Sequence, residues 1–283
     1  MPSFLMLLLL LPHLAALPSK PPDYAVLSHR LAALKHDEAD VKCLLLDAMV
    51  PRQRLQIQFG PPVSDVLREL RRTGDGLAVL GVNHRSGEVL RRGVEARVEA
   101  MSPYRASAGY FSSHSLTPLR SFTALDTTLV AGRRLEIVEH GAASWPPDEL
   151  VFPARVRWLP SDEMAPPSAI LLAQSLPPLV DEWLQLVRTT KRERAAGQMS
   201  GVLNDLGPIS EMETPDDLAF WVAALVNPLP ALGVAVEVRA AMLEAADPLY
   251  RVQIAQRVLT DSIERMRQRP PGPFEVELSP TKR

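Results

Sequence analysis

The chain has 283 residues, enough for one large domain or two small ones with a substantial buried core. Hydrophobic residues make up 46% and charged residues 23%, a balance that is typical of folded proteins and excludes global disorder. The formal net charge is −2 and aromatic residues make up only 5%, so we expect neither a strongly basic surface for nucleic acid nor a platform for base stacking.

The N-terminal residues predict a targeting segment that is separate from the fold. Phe4 to Leu11 is an unbroken apolar run, which is shorter than the roughly 20 residues of a membrane span but suits the core of a cleaved signal peptide. No Lys or Arg precedes this run, so a buried extension or a misassigned start remains an alternative. We assign residues 1–19 to a signal or targeting segment and residues 20–42 to a loosely ordered leader. Its acidic cluster, Asp37, Glu38 and Asp40, is interpreted as solvated rather than metal-binding.

Short strands and one helix are predicted for residues 43–160. One strand is a buried run, one is apolar on both faces, and the others alternate apolar and polar residues with a period of two. In chain order these strands contain Leu44–Leu46, Leu55–Phe59, Leu77–Val82, Val94–Ala100, Leu135–Ile137 and Phe152–Trp158. The helix runs from Val63 to Arg72, with Ser64 as a possible N-cap and Gly74–Gly76 after it. Residues 103–115 are interpreted as a surface loop. The pattern indicates a small, strongly curved sheet or barrel.

Helices are predicted for residues 168–268, because the apolar period changes from two to 3.6 after Pro166–Pro167. Thr214 followed by Pro215 and two acids is a helix start, and Asn227–Pro228 is a helix stop. Asp247–Pro248 opens another, longer amphipathic helix. The charged run from Lys191 to Gly197 is also interpreted as helical, with a solvated face, and residues 269–283 as a flexible tail.

No motif for catalysis, cofactor binding or metal binding is found. The sequence has no phosphate-binding Gly-x-x-x-x-Gly-Lys-Ser/Thr loop, no His-Glu-x-x-His and no Gly-x-Ser-x-Gly. Cys43 is the only cysteine, and we interpret it as a buried thiol. Arginine pairs are expected on outward strand faces, and the histidines are scattered through predicted loops or the leader. The arginines are Arg91–Arg92, Arg133–Arg134 and Arg155 with Arg157; the histidines are His13, His29, His36, His84, His114 and His140.

The order of several segments resembles the N-terminal, substrate-binding domain of Lon proteases. Residues 227–254 read as a helix stop at Asn227-Pro228-Leu229-Pro230, a short helix, a turn and a longer helix, which is how that domain ends. Leu44–Pro51 is similar to its opening strand and turn, although Arg52 stands where the family has Gly. Three further segments resemble its later strands: Gly93–Val98, Gly132–Ile137 and Phe152–Val156. The resemblance covers most of Cys43 to Arg267.

The resemblance implies an α+β fold in which a PUA-like β pseudobarrel is followed by an α-helical bundle subdomain. It also implies a non-catalytic domain, without the ATPase or peptidase of Lon, that binds unfolded or degron-bearing polypeptides in proteolysis or protein quality control. No cofactor is implied. Two alternatives remain open: an RNA-binding PUA-like module, and a scaffold subunit that docks onto a protease complex. By resemblance to targeted relatives, the expected location is an organelle, with a plastid suspected and secretion as the alternative.

The resemblance names no binding residues in this chain, so the client site stays unknown. An apolar groove between the barrel and the helices is the expected location. Trp158, Trp183 and Trp221 lie near that junction in sequence order, but each also occupies a predicted core face. Large aromatic residues at helical or strand spacing usually pack inside. We therefore interpret all three as core residues, and predict no catalytic, metal, cofactor or binding residue.

Overall fold

The computed structural model describes residues 38–82, 87–103, 124–140, 149–160, 165–229 and 231–268. Six strands come first in the chain: β1 (Glu38–Asp47), β2 (Arg54–Phe59), β3 (Leu77–Val82), β4 (Val89–Pro103), β5 (Leu125–His140) and β6 (Val151–Trp158). One helix, α1 (Val63–Thr73), lies between β2 and β3. The others follow the strands: α2 (Pro167–Ala173), α3 (Leu176–Thr189), α4 (Gln198–Leu206), α5 (Pro215–Val226), α6 (Arg239–Glu244) and α7 (Pro248–Gln268), with a 3₁₀ turn at Ile209–Glu211. The predicted α+β class is confirmed.

Five of the strands close into a ring. The order along the sheet is β2-β5-β4-β3-β1-β6, and β6 pairs again with β5, so β5, β4, β3, β1 and β6 enclose a circuit. β1 and β3 pair in parallel, whereas β4 is antiparallel to both of its neighbours. β5 is 16 residues long and pairs with two strands on one side: its first half pairs with β2 and its second half with β6.

The first half of β5 extends beyond the ring as a three-stranded arm. We define the arm as β2, residues 125–130 of β5 and residues 97–103 of β4. The register between β4 and β5 shifts between Val94 and Ala96 and again between Val98 and Ala100. Such bulges bend and twist a strand pair locally, which lets the same two strands belong to both the ring and the arm.

A continuous hydrophobic core joins the sheet to the helices. It contains one face of β1 and β3, the inward residues of β2 and β4, and the buried faces of α3, α5 and α7. A smaller cluster lies among β1, β3, β5 and β6 and includes Cys43, Phe152 and Val156. Helix α5 is the most deeply placed element, because every residue from Leu218 to Val226 is buried. Trp183 and Trp221 are 0% and 2% exposed, as their interpretation as core residues predicts.

Several boundaries agree with the sequence patterns. Thr214 caps α5 by accepting a hydrogen bond from the Asp217 N–H, and α5 ends at Val226, directly before Asn227. Asp247 accepts a hydrogen bond from the Tyr250 N–H at 2.8 Å and so caps α7. Gly74, at φ 76°, ends α1 and donates its N–H to the Leu70 carbonyl.

Three local predictions are wrong. β1 begins at Glu38, within the expected leader, because Ala39, Val41 and Cys43 alternate inward against Glu38 and Asp40 and so continue the strand. The Lys191–Gly197 segment is not helical; the chain turns there with positive φ at both ends, 52° at Lys191 and 78° at Gly197.

Ser64 is not the N-cap of α1. The capping position is Pro62, and Ser64 is 1% exposed in the first turn.

Other predictions lie outside the described residues: the targeting segment and leader up to residue 37, most of the loop after Pro103, and the C-terminal tail from residue 269. Within the residues that the structure describes, no helix is both long and apolar enough to cross a membrane.

Cys43 generates the first testable prediction. Its side chain is 0% exposed, and burial raises the pKa of the thiol from 9.0 to about 12. Because only the thiolate is an efficient nucleophile, we expect native protein to resist a thiol reagent at pH 8, and still at pH 10. Urea-unfolded protein should react within the mixing time. Labelling of native Cys43 as fast as that of the unfolded chain would contradict the burial.

Candidate functional site at the junction of sheet and helices

A buried cluster of three charged side chains holds the sheet against the helices. Asp216, in the first turn of α5, receives Nε and Nη2 of Arg251 from α7, both at 2.7 Å. Arg134 of β5 reaches the same carboxylate from the sheet, with its Nη2 3.4 Å from Oδ2. Arg251, Arg134 and Asp216 are 0%, 6% and 7% exposed. Three elements that are distant in sequence therefore meet at one carboxylate.

Neighbouring groups complete this cluster. Arg251 Nη1 donates to the Ala245 carbonyl at 2.8 Å, and Arg134 Nη2 to the Pro160 carbonyl at 3.2 Å. The ring of Phe220 lies 5.3 Å from the Arg134 guanidinium and 5.8 Å from that of Arg251, within cation–π range. Carbonyls and an aromatic face thus replace part of the water that each guanidinium loses on burial.

Arg134 corrects a sequence prediction, because it was expected on the outward face of its strand. The register shift pairs Val94 with Arg134 but Ala96 with Ala131, so two residues of β5, Gly132 and Arg133, lie opposite the single residue Glu95 and β5 has one extra residue there. Both of these residues are exposed, and the next two, Arg134 and Leu135, are buried. A bulge of this kind breaks the period of two, and period was the only available signal for the direction of the side chain.

A second polar contact fixes the loop before β2. Gln53 is 3% exposed, accepts a hydrogen bond from the Val50 N–H at 3.0 Å and donates to the Asn227 carbonyl at 2.9 Å. The Asn227 side chain in turn accepts from the Val238 N–H at 2.9 Å and donates to the Val236 carbonyl at 3.1 Å. The start of β2, the end of α5 and the approach to α6 are therefore held together.

An open cleft of about 320 Å³ lies on this fixed frame, between the arm and α4. Arg54 and Gln56 of β2 and Thr128 of β5 form one wall; the other consists of Gln198, Gly201, Val202 and Asp205 of α4 with Pro228 and Leu229. Arg54 is held in place by Glu99 of β4 at 2.8 Å and by Asp205 at 3.6 Å. The lining thus combines apolar, amide and paired charged groups.

A second junction pocket of about 290 Å³ lies beside the charged cluster and is lined by Arg52, Arg133, Asp217 and Phe220 among others. Two larger grooves lie away from the junction, on either side of the end of α1. One, of about 630 Å³, borders β4 and β5 at Glu95 to Val98 and at Val130 to Gly132. The other, of about 640 Å³, borders β1 and carries several carboxylates, including Asp65 and Glu69.

The tryptophans do not line the cleft. Trp183 donates its indole N–H to Ser262 at 2.9 Å, and Trp221 donates to the Gly207 carbonyl at 3.0 Å, so both polar groups are satisfied inside the core. Trp158, also interpreted as a core residue, is only half-buried: it packs on the edge of the smaller cluster and lies beneath Arg133, whose guanidinium is 4.6 Å from the ring. Among the described residues, no group of three or more His, Cys, Asp or Glu side chains is placed to hold a metal ion.

Comparisons with known proteins give likenesses at the level of structure only. No protein-family model matches the sequence, and no curated protein matches it. A Lon N-terminal domain protein from Xanthomonas campestris is similar, with a TM-score of 0.46 and 16% identity, over 77% of this chain and 98% of that one. The N-terminal domain of Mycobacterium avium complex Lon protease is similar with a TM-score of 0.48 and 14% identity, over 79% and 99%. Both belong to the family that the sequence segments resemble.

The charged cluster predicts a large stability difference between two substitutions. Asp216→Asn keeps the size of the side chain but leaves two buried guanidinium groups without their shared carboxylate, so we expect a loss of about 3–5 kcal/mol in unfolding free energy. Asp205→Asn is the control, because that side chain is 46% exposed and its ion pair with Arg54 is 3.6 Å long. We expect that control to cost less than about 1 kcal/mol.

Urea unfolding followed by tryptophan fluorescence measures both values. Equal losses for Asp216→Asn and Asp205→Asn would show that the cluster does not hold the sheet to the helices.

Proposed function

We propose that this protein binds segments of polypeptide that lack fixed structure, in the cleft between the arm and α4, and that it does so without catalysis. The proposal joins two independent lines of support. The sequence segments from Leu44 to Ile254 resemble a domain family whose role is to bind polypeptide. The junction of sheet and helices, where a groove for clients is expected, contains an accessible cleft beside the polar contacts of Gln53 and Asn227.

The composition of the cleft is the observation on which the proposal depends. About 320 Å³ is space for a few side chains and is at the lower end of the range for small-molecule pockets. Its walls include Val202, Pro228 and Leu229 for apolar groups, and Gln56 and Gln198 for polar groups. Its charged residues, Arg54 and Asp205, already neutralise each other. Such a lining accepts varied side chains and favours neither sign of charge.

Binding is tested with a protein that is permanently unfolded by reduction and carboxymethylation, against the same protein in its native form. We expect the unfolded form to bind and the native form not to bind. Because the cleft has no net charge, the affinity should change little between 50 and 500 mM salt. Absence of binding to the unfolded form at any concentration up to the millimolar range would refute the proposal.

RNA is the corresponding test of the alternative that PUA-like folds suggest. Tight RNA binding that weakens steeply with salt would favour a nucleic-acid function over polypeptide clients. A scaffold role, in which the chain docks onto a protease complex, predicts instead that the chain binds a folded partner and no unfolded protein.

Delivery through residues 1–42 to an organelle, a plastid in particular, or to the outside of the cell remains a prediction.

Absence of catalysis is a separate prediction. We expect purified protein neither to turn over ATP nor to degrade casein, with or without ATP, because the sequence has no phosphate-binding loop and no recognisable nucleophile motif. The measurements are phosphate release and casein fluorescence over several hours at micromolar protein. Activity that copurifies with the protein and disappears on substitution of a single residue would contradict it.

A further inference from the structure

We propose that the unpaired edge of β2 receives the client polypeptide as an additional β-strand. This inference rests on the proposed function and names the form in which the client is recognised: an extended main chain, rather than a side-chain sequence. β2 pairs with β5 on one side, and within the described part of the chain no strand pairs with its other side. The ring has closed its circuit, so among the described residues the free edges of the sheet are confined to a few segments, and β2 is one with a continuous register over six residues.

The direction of the main-chain groups follows from the hydrogen bonds at the start of β2. Ala131 accepts from the Arg52 N–H at 3.0 Å and donates to the Gln53 carbonyl at 2.9 Å. The register pairs Arg54 with Val130, so Gln53 is the residue that lies opposite Ala131. In an antiparallel pair, the residues that bond the partner strand recur at every second position, here counted from Gln53. Leu55, Ile57 and Phe59 therefore bond β5. Arg54, Gln56 and Gln58 direct their N–H and C=O groups toward the open edge.

The other open edge of the arm, along β4, has features that disfavour pairing with another strand. From Arg97 onward β4 has no strand on its β3 side among the described residues, because β3 begins at Leu77, opposite Ala96. A register shift next to Glu99 distorts this edge. By the same alternation, Met101 and Pro103 face the open side, and Pro103 has no N–H to donate. Bulges and prolines are common protections of an edge strand.

β2 has no such protection. Its register with β5 is continuous from Arg54 to Phe59, and the strand contains neither proline nor bulge. A six-residue edge of this kind is about 20 Å long. It presents donors and acceptors in alternation, which only another polypeptide strand matches along its whole length. Nucleic acid, whose backbone has acceptors and no N–H donors, does not match it.

The cleft then receives side chains of the added strand. A strand that pairs with β2 lies about 4.8 Å from it, with alternate side chains on each face. Those on the face of Arg54 and Gln56 come next to the residues that line the cleft. Main-chain pairing supplies an affinity that is independent of sequence, and the mixed lining tolerates many side chains. Both properties suit a protein that binds unfolded clients.

A pair of proline substitutions in the protein tests whether the open edge of β2 binds the client. Gln58→Pro removes one outward N–H from β2, and its side chain is exposed; Met101→Pro removes one outward N–H from the protected edge of β4. We expect Gln58→Pro to weaken binding of the reduced, carboxymethylated protein at least about tenfold, from the lost bond and the added steric block. Met101→Pro should change it less than twofold. Protection of Cys43 from labelling confirms that each variant is folded.

A pair of peptides gives a second test on the unsubstituted protein, so its result does not depend on how the variants fold. The probe is a nine-residue peptide of alternating threonine and valine with a lysine at each end. Its partner has ester linkages in place of the central amides, which removes the N–H donors and keeps every side chain. We expect the ester peptide to bind at least about tenfold more weakly.

The outcomes separate the inference from the proposed function. If unfolded protein binds, but both peptides bind equally well and Gln58→Pro has no effect, the strand-addition inference is wrong and the proposed function stands. If no unfolded protein binds, both are wrong. If the protein sediments as a dimer that Gln58→Pro converts to a monomer, the edge is an interface between two copies of the chain, and the inference is again wrong.

Discussion

The carboxylate of Asp216, shared between Arg251 and Arg134, is the interaction on which the arrangement of the molecule depends. Apolar burial provides most of the free energy of folding, but it is not directional, and the continuous core of sheet and helices would tolerate small shifts of one against the other. Buried charges do not tolerate such shifts, because each guanidinium that leaves its partner remains desolvated. The bidentate contact to Arg251 and the contact from Arg134 therefore set one relative position for β5, α5 and α7.

The closure of the ring determines where the sheet can be open. Five strands satisfy one another in a ring, and the hydrogen bonds of Gln53 and Asn227 anchor the start of β2 to the end of α5. Among the residues that the structure describes, β5 is the only strand that pairs with the remainder of β2. An edge held at one end by a rigid frame keeps the geometry of a strand without a second neighbour, so it is already ordered for pairing. The entropy cost of ordering then falls on the incoming segment alone.

Sequence patterns predicted the elements whose burial follows one period throughout. Trp183 and Trp221 fall on regular helical faces, Phe152 and Val156 on a regular strand face, and all four are buried as expected. The patterns failed where one residue interrupts the period or where the partner is distant. The bulge at Gly132 and Arg133 reversed the expected direction of Arg134, and nothing local indicates that Asp216 will meet residues 82 and 35 positions away.

The candidate site could not be predicted from the sequence for the same reason. Arg54, Gln56 and Gln58 are ordinary outward residues of an alternating strand, and such residues look the same whether or not another strand covers their edge. Only the topology shows that β2 is at the end of the sheet, and only the hydrogen bonds of Ala131 show which main-chain groups face outward. Likewise, only the pairing of Pro103 with Leu125 shows that this proline belongs to the open edge of β4.

The energetics of strand addition agree with a binding role that needs no motor to release the client. The three outward residues of β2 offer about six main-chain hydrogen bonds, each worth roughly 0.5–1.5 kcal/mol net in water. Association and ordering of a flexible segment cost at least about 4 kcal/mol, so the edge alone supplies at most about 5 kcal/mol, which corresponds to weak binding with a dissociation constant of roughly 0.2 mM or higher. Side chains in the cleft add to this without demanding one sequence. Dissociation at such an affinity would be fast enough for a bound segment to exchange spontaneously.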